Sequence, residues 1–326
     1  MNLTSEMFGL TLFLLPGIGR KTVRQVLIQC DEPPNSAQEI LEALHAHAGK
    51  RGEKFTIVDV TPALDRADQL ISESLEQGIT TLSVYSPSYP DQLKATDDPP
   101  AILYVKGDLN ALRPKDSIAV IGTRHPTEYA AKSAFRIASR LTKQGFVIVS
   151  GLALGCDSQA HEGCVDAEGV SVSVLAHGLD QVHPKANAGL AEKILDNGGA
   201  LVSEYLVGEK PQPVYFVERD RIHSGLSSAV LVIETDVSGG TMHTVRFAKN
   251  QGRQIAVLAH PDAFSQDSKS AGNRELLTEK EVLPISDSEG LELLVRTLRE
   301  PVESRLDHDT VPSPVGTQKD LWGDAQ

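Results

Sequence analysis

From residue 117 onwards, short apolar segments alternate with stretches that have helical spacing. The apolar segments are rich in β-branched residues and lie at 118–121, 146–149, 172–175, 200–202, 229–233 and 255–258. The helical stretches between them lie at 127–143, 157–167, 186–197 and 241–251. Continuous apolar strands that alternate with helices are typical of a parallel sheet covered on both faces. The pattern therefore predicts an α/β fold with a doubly wound, mostly parallel sheet.

The first eighty residues have a different, helical pattern. The segment LFLLPGIGRKTVRQVLI (12–28) joins an apolar helix to an amphipathic one through Pro16-Gly17-Ile18-Gly19. Gly-Ile-Gly between two helices is the helix-hairpin-helix pattern, whose backbone N–H groups can point at a phosphate. A tight turn in a small bundle is the alternative interpretation. With helical spacing also at 37–47 and 64–77, residues 1–80 are expected to form a small helical domain of the helix-hairpin-helix (SAM-like) type.

Prolines mark the next segment as a connector. In DPPAILYVKG (98–107) they exclude a helix, and 102–105 is expected to add an edge strand to the following sheet. A last strand is predicted at 282–285 and a last helix at 288–299. The expected organisation is a connector over 81–116, an extended Rossmann-like domain over 117–299, and an acidic, disordered tail over 300–326.

The distribution of charge restricts how such a protein could contact nucleic acid. The net charge is −13, but residues 117–262 carry 13 basic and 15 acidic side chains, a balance of −2. A near-neutral domain can present a local basic pocket, but it does not coat DNA over a wide face. Three cysteines without a CxxC pair argue against disulfides and structural zinc, and no segment has the ~20 apolar residues of a membrane span. A cytoplasmic protein without membrane contact is expected.

The turns that follow the predicted strands hold the candidate binding residues. Ligands of doubly wound sheets bind beyond the carboxyl ends of the strands. Glycines there let backbone amides approach an anion, and arginine adds a bidentate charge. The candidate phosphate-binding residues are Gly122, Thr123, Arg124, Gly151, Lys185, Asn187, Arg219, Arg221, Gly239, Gly240 and Thr241. Phe216 has two interpretations of equal weight, which are stacking on a base and packing in the core.

Catalytic and metal-binding alternatives have weaker support. Asp157 and His161 are four residues apart on one helix, but a capping aspartate and a packed histidine explain them. The Gly-x-Ser-x-Gly motif of serine hydrolases is absent. Glu204 and Glu234 end strands near the candidate site, where they are expected to bond loop amides or the arginines at 219 and 221. The sequence therefore predicts a binding protein without catalytic residues, metal or cofactor.

Taken together, these motifs resemble the DNA-processing protein A (DprA, also called Smf) family. The matching segments are YPDQL, DPPAILYVKGDL, AVIGTR, SGLALGCDSQAH, HGLDQVHPKAN, GALVSEY, RDRIHSGLS and VLVIETDVSGGTMHT, in family order. The resemblance implies a protein that binds single-stranded DNA, forms a homodimer and hands the strand to a RecA-type recombinase. The implied phosphate contacts are Arg124, Lys185, Arg219 and Arg221, and the implied pocket lining is Gly122, Gly151, Gly240 and Thr241.

Departures from the family pattern leave two alternatives open. The family usually has arginine in place of Leu154 and asparagine in place of Asp220, so weaker or altered DNA affinity is expected. Many members also end in a winged-helix domain, whereas an acidic tail stands here. These differences motivate one alternative to the DNA-binding protein: a regulatory or antitoxin module that senses nucleic acid or nucleotide in a phage-defence or toxin–antitoxin pair, with a cognate toxin as partner. A nucleotide-hydrolysing enzyme of the lysine-decarboxylase-like fold is the third hypothesis, although the 238–244 loop lacks the catalytic glutamate of those enzymes.

Overall fold

A computed structural model of the protein describes residues 3–114, 116–261, 264 and 267–300. Within these residues one sheet contains the strands β1 (Ile79–Ser83), β2 (Ile102–Gly107), β3 (Ser117–Ile121), β4 (Val147–Ser150), β5 (Ser171–Val174), β6 (Ala200–Ser203), β7 (Ala229–Val232), β8 (Gln254–Leu258) and β9 (Val282–Ile285). Their order across the sheet is β1-β2-β6-β5-β4-β3-β7-β8-β9. All neighbours from β6 to β9 are parallel, while β1 and β2 are antiparallel additions. The predicted α/β class with a mostly parallel, doubly wound sheet is confirmed.

The helices precede the sheet and then cover it. They are α1 (Ser5–Leu14), α2 (Arg20–Gln29), α3 (Ala37–His47), α4 (Ile57–Glu76), α5 (Asp91–Lys94), α6 (Glu128–Lys143), α7 (Cys156–Asp166), α8 (Ala188–Asp196), α9 (Pro213–Gly225), α10 (Thr241–Asn250), α11 (Ala271–Leu276) and α12 (Ser288–Arg299). In the part of the chain that the structure describes, none of them combines the length and apolar character needed to cross a membrane.

Alternate residues of the central strand β3 enter two different cores. Ile118 and Val120 pack in the cluster that holds the apolar side chains of α6 and α12. Ala119 and Ile121 pack on the other face with residues of α9 and α10. Both faces of the strand are therefore buried, which explains why its sequence is continuously apolar rather than alternating.

The antiparallel edge of the sheet differs from its expected form. The sequence predicts one edge strand at 102–105, but β2 lies second from the edge and pairs with both β6 and β1. The strand at the edge is β1, which follows α4 after Gly78 at a φ of +71°. The expectation of a single added strand is therefore wrong, because the ITTLS segment has too few apolar residues to stand out beside a helix.

The four N-terminal helices enclose their own apolar cluster. Pro16 to Gly19 joins α1 to α2 as the helix-hairpin-helix pattern predicts, with Gly17 at a φ of +80° and Ile18 buried in that cluster. The helix expected from residue 64 begins at Ile57, where Thr56 and Asp59 form a capping box. The proposed domain boundaries stay a prediction, and residues 301–326 of the expected tail lie outside the described residues.

Candidate functional site

A cleft opens at the carboxyl ends of β3 and β7. From β3 the chain winds through β4, β5 and β6 to one side of the sheet, and from β7 it winds through β8 and β9 to the other. The pair β3–β7 is thus the topological switch point, where doubly wound sheets bind their ligands. The cleft has a volume of about 410 Å³, within the range of small-molecule sites, about 300–1,000 Å³.

Most of the predicted site residues meet in this cleft. Eight of the twelve line it, and these are Gly122, Thr123, Arg124, Phe216, Arg219, Gly239, Gly240 and Thr241. The first three follow β3. Gly239 and Gly240 follow β7, with Gly240 as the N-cap of α10 and Thr241 as its first residue. The N–H groups of Met242 and His243 already donate to backbone carbonyl oxygens, so Arg124, the N–H groups of Gly240 and Thr241, and the partial positive charge of the helix terminus are what this rim offers an anion.

Arg124 is exposed at the rim and lies over the ring of Phe216. Its guanidinium carbon is 4.9 Å from the ring centroid, and that of Arg219 is 5.9 Å from it. Such cation–π contacts fix the direction of a long side chain. Stacking of a base on Phe216 stays a prediction, and it would compete with Arg124 for the ring.

Helix α9 supplies the floor of the cleft. The sequence predicts that residues 216–221 lie beside the site but does not predict a helix there. Pro213 starts the helix, and every residue from Arg219 to Gly225 is buried. Because the buried face carries charged and polar side chains, the helix has no apolar periodicity in its sequence. Pro213, a residue type that is common in the first turn of helices, was the one sequence signal for this helix. The floor residues are Asp157, Arg219, Asp220 and His223.

Hydrogen bonds from the guanidinium of Arg219 hold this side chain in place in the floor of the cleft. Nη1 donates to the carbonyl oxygens of Gly151 at 3.1 Å and Val174 at 2.5 Å, and Nε donates to Oδ1 of Asp220 at 3.0 Å. The residue is 6% exposed. A Cβ on Gly151 would lie 2.2 Å from Nη1, so the glycine is required by this close approach. Gly151 therefore shapes the site from below and does not line it.

Arg221 is directed away from the cleft, contrary to its expected role. Two residues along a helix point to different sides, so Arg219 and Arg221 cannot both face one ligand. Arg221 is 2% exposed, and its Nη1 and Nη2 each lie 2.6 Å from a carboxylate oxygen of Glu204. Its Nε donates to the carbonyl oxygen of Asp98 at 2.9 Å. The pairing of Glu204 with an arginine is confirmed, and the position of Arg221 contradicts its prediction as a rim residue.

Lys185 and Asn187 follow β5 and lie outside the cleft lining. Asn187 is buried, and its Nδ2 donates to the carbonyl oxygen of Leu152 at 2.8 Å. That bond ties the turn containing Lys185 to the loop after β4. Lys185 itself is exposed at the same edge of the sheet. Asn187 therefore has a structural contact, whereas Lys185 is an exposed cation of the turn after β5 without an ion pair among the described residues.

The other acidic candidate, Glu234, holds the loop after β3. Its carboxylate accepts from the backbone N–H and hydroxyl of Thr127, both at 2.7 Å, as expected for a loop-bonding glutamate. Its Oε1 also lies 3.2 Å from Nε2 of His260. Burial raises the pKa of this carboxyl, but these partners outweigh it, so the pKa is lowered and the carboxylate stays charged.

Asp157 and His161, which were considered as a metal-binding pair, are both buried side chains in α7. The N-cap of α7 is Gly155, so Asp157 lies inside the first turn and is not the cap that the sequence suggested. His161 is fully buried, with Nδ1 2.7 Å from the hydroxyl of Ser171. Burial lowers the pKa of His161 to about 3, and the positive charge of Arg219 adds to the effect. Over residues 3–114, 116–261 and 267–300, no three potential metal ligands cluster.

The geometry defines a Rossmann-like α/β protein with a cleft at its switch point that is lined by Arg124 and the N-terminus of α10. Residues 80–291 match the family model for DNA recombination-mediator protein A. The chain belongs to that family. It is 42% identical to the protein Smf of Escherichia coli over 173 residues, which are 53% of this chain and 46% of the relative. The chain spans about half the length of the curated relatives it matches.

Two solved structures share the fold. DNA processing protein A from Streptococcus pneumoniae matches with a TM-score of 0.71 and 25% identity, over 90% of this chain and 98% of that one. A Helicobacter pylori protein A structure, which concerns its single-stranded DNA binding mode, matches with a TM-score of 0.60 and 30% identity, over 67% of this chain and 96% of that one. The names of these relatives refer to DNA processing, and none of them refers to a toxin–antitoxin module.

Proposed function

We propose that this chain binds single-stranded DNA in the switch-point cleft, without catalysing a reaction. The observation that carries the proposal is the convergence of Arg124 with the N-terminus of α10 around one cleft. Backbone N–H groups and an arginine at such a place suit a phosphate of either a free nucleotide or a strand. The likeness to the Helicobacter pylori protein favours the strand.

The expected path of the strand follows from Arg124 and Lys185, the two predicted cationic contacts that are exposed. Arg124 stands at the cleft and Lys185 at the turn after β5, so a backbone that contacts both would run along the carboxyl edge of the sheet. Arg219 contributes positive charge from the floor, and Arg221 stabilises α9 through its pair with Glu204. Since the contacts are to the backbone, little sequence preference follows from the rim alone.

Fluorescence anisotropy with labelled oligo(dT) at increasing salt tests this function. Binding should weaken steeply with salt, because each phosphate contact releases counterions. Arg124→Ala and Lys185→Ala should each lower the slope of log affinity against log salt by about one. Lys193→Ala is the matched control, since Lys193 is exposed in the last turn of α8. Wild-type slopes in both test variants would overturn the site assignment. Absence of binding at low salt, to oligo(dT) and to a mixed-sequence oligonucleotide alike, would overturn the function.

We further propose that the protein is a homodimer that acts with a RecA-type recombinase. The recombinase is supported by the family membership, because the family is described as a recombination mediator. The homodimer is what the resemblance implies. Light scattering at several protein concentrations would establish the mass in solution. Strand-exchange assays with a recombinase, with and without this protein, would measure the partnership; no effect of wild-type protein would contradict it.

A further inference from the structure

The floor of the cleft has a different chemistry from its rim. The rim offers N–H groups and Arg124, whereas the floor presents the carboxylates of Asp157 and Asp220 beside Arg219 and His223. All four floor residues are at most 8% exposed, yet they line the cleft. Arg219 pairs with only one of the two carboxylates, Asp220, and like charges repel, so the floor suits a phosphate poorly. It is better suited to a part of the ligand that donates hydrogen bonds.

Asp220 has acceptor capacity directed to the cleft. Its described contacts use Oδ1, which accepts from Nε of Arg219 at 3.0 Å and lies 3.6 Å from Nδ1 of His223. The side chain keeps 12% of its surface exposed. A carboxylate has about four lone-pair sites, so the pair with Arg219 leaves most of them for a ligand. The same pair fixes the orientation of the carboxylate.

His223 adds unused polar atoms next to Asp220. Both of its ring nitrogens are buried and lack a hydrogen-bond partner among the described residues, since 3.6 Å to Asp220 is too long. Burial lowers the pKa of His223, with the charge of Arg219 adding to the effect, so the ring is neutral. A neutral imidazole offers one donor and one acceptor. Because these nitrogens are buried, the group of this pair that can meet the polar edge of a nucleobase is the carboxylate of Asp220, which His223 packs beside.

We propose that the floor reads the Watson–Crick edge of one base of the bound strand, and that Asp220 makes guanine the preferred base. This inference rests on the proposed binding of single-stranded DNA. Unstacked bases of single strands are recognised on that edge. Guanine presents two adjacent donors, N1–H and N2–H, which one carboxylate can accept together. Thymine presents N3–H between two carbonyl oxygens, which would face the carboxylate and be repelled.

Short homo-oligonucleotides of 7-deazaguanine, hypoxanthine and thymine separate the possibilities. The first keeps both donors of guanine but lacks the N7 that quadruplexes need, and the second lacks the N2 amino group. Anisotropy titration of the wild-type protein should rank affinity in that order. The first and last should differ by roughly tenfold or more, as for other bidentate contacts to a base.

The variant Asp220→Asn tests the assignment to one residue. Asparagine keeps an oxygen for Arg219 and turns an NH₂ group towards the cleft, so the preference for 7-deazaguanine over thymine should fall to about one. Losing a negative charge should also strengthen binding of all three oligonucleotides, so the ratio is the informative quantity. Asp166→Asn, at the exposed end of α7, removes the same charge elsewhere and should leave the ratio unchanged.

The outcomes separate the two proposals. Equal wild-type affinity for all three oligonucleotides would overturn base reading while single-stranded DNA binding stands. No binding of any oligonucleotide would overturn both. A preference for 7-deazaguanine that survives in Asp220→Asn would overturn the role of Asp220.

Discussion

Arg221 and Glu204 form a bidentate ion pair inside the protein, with two N–O distances of 2.6 Å. Their side chains are 2% and 6% exposed. The pair joins α9 to the end of β6, and Arg20 of α2 also contacts Glu204 at 3.3 Å. One carboxylate thus connects the N-terminal helices to the helix that forms the floor of the cleft.

Removing that carboxylate should destabilise the fold. Glu204→Ala leaves the charge of Arg221 buried with Asp98 as its remaining acidic partner, so the free energy of unfolding should fall by about 3 kcal/mol or more. Urea denaturation followed by circular dichroism measures the change. Glu73→Ala is the control, because Glu73 pairs with Arg66 at the surface and such pairs contribute at most about 1 kcal/mol. Equal losses in the two variants would contradict the structural role of Glu204.

Gly151 should not tolerate a side chain. A Cβ there would lie 2.2–2.6 Å from the guanidinium of Arg219, which three hydrogen bonds hold in place. Gly151→Ala should therefore lower the free energy of unfolding by about 1–3 kcal/mol and weaken DNA binding by displacing the floor. Thermal unfolding and oligo(dT) titration report the two effects.

The control for this variant is Gly189→Ala in α8. No atom lies within 4 Å of a Cβ at Gly189, and alanine in a helix should raise the free energy of unfolding by about 0.4–1 kcal/mol. If Gly151→Ala behaved in the same way, Arg219 would be mobile and the described floor would be wrong.

Buried His161 should make the protein sensitive to acid. Its pKa is about 3 in the folded state, against about 6.5 in an unfolded chain. The unfolded state therefore binds a proton first, so stability is full above pH 6.5 and falls between pH 6.5 and 3. The contribution is at most about 1.4 kcal/mol per pH unit.

Urea denaturation between pH 7 and 5 measures this dependence. The variant His161→Gln cannot take up the proton, so its free energy of unfolding should fall less steeply with pH than that of the wild type. His223, whose pKa burial also lowers, keeps part of the slope in both proteins. Parallel pH profiles would show that His161 titrates normally in the folded state.

The predictable parts of the fold are those whose residues repeat one simple pattern. Strands such as β3 (Ser117–Ile121), which was predicted at 118–121, are apolar and buried along their whole length, so composition alone identifies them. The glycines and Arg124 of the rim were found because the carboxyl ends of parallel strands share one edge. Helix α9 could not be found by periodicity, because its buried residues Arg219, Asp220 and Arg221 are stabilised by one another and by distant partners.

Because helix α9 was not predicted, the direction of the Arg221 side chain could not be predicted either. On an extended segment, residues 219 and 221 would share a face, whereas on a helix they point to different sides. The sequence does not show that Glu204 is the specific partner of Arg221 either, because seventeen positions separate the two residues. Contacts of this kind depend on the sheet order, which brings the end of β6 against α9.

Leu154 is the position at which added charge should strengthen DNA binding. It lies in the loop between β4 and α7, at the carboxyl edge of the sheet, and is 45% exposed. Leu154→Arg should raise the affinity for oligo(dT) and steepen its salt dependence by about one, as one new phosphate contact would. Leu75→Arg adds the same charge at an exposed position of α4 and should leave both quantities unchanged. Equal gains in the two variants would mean that net charge, and not this edge of the sheet, governs binding.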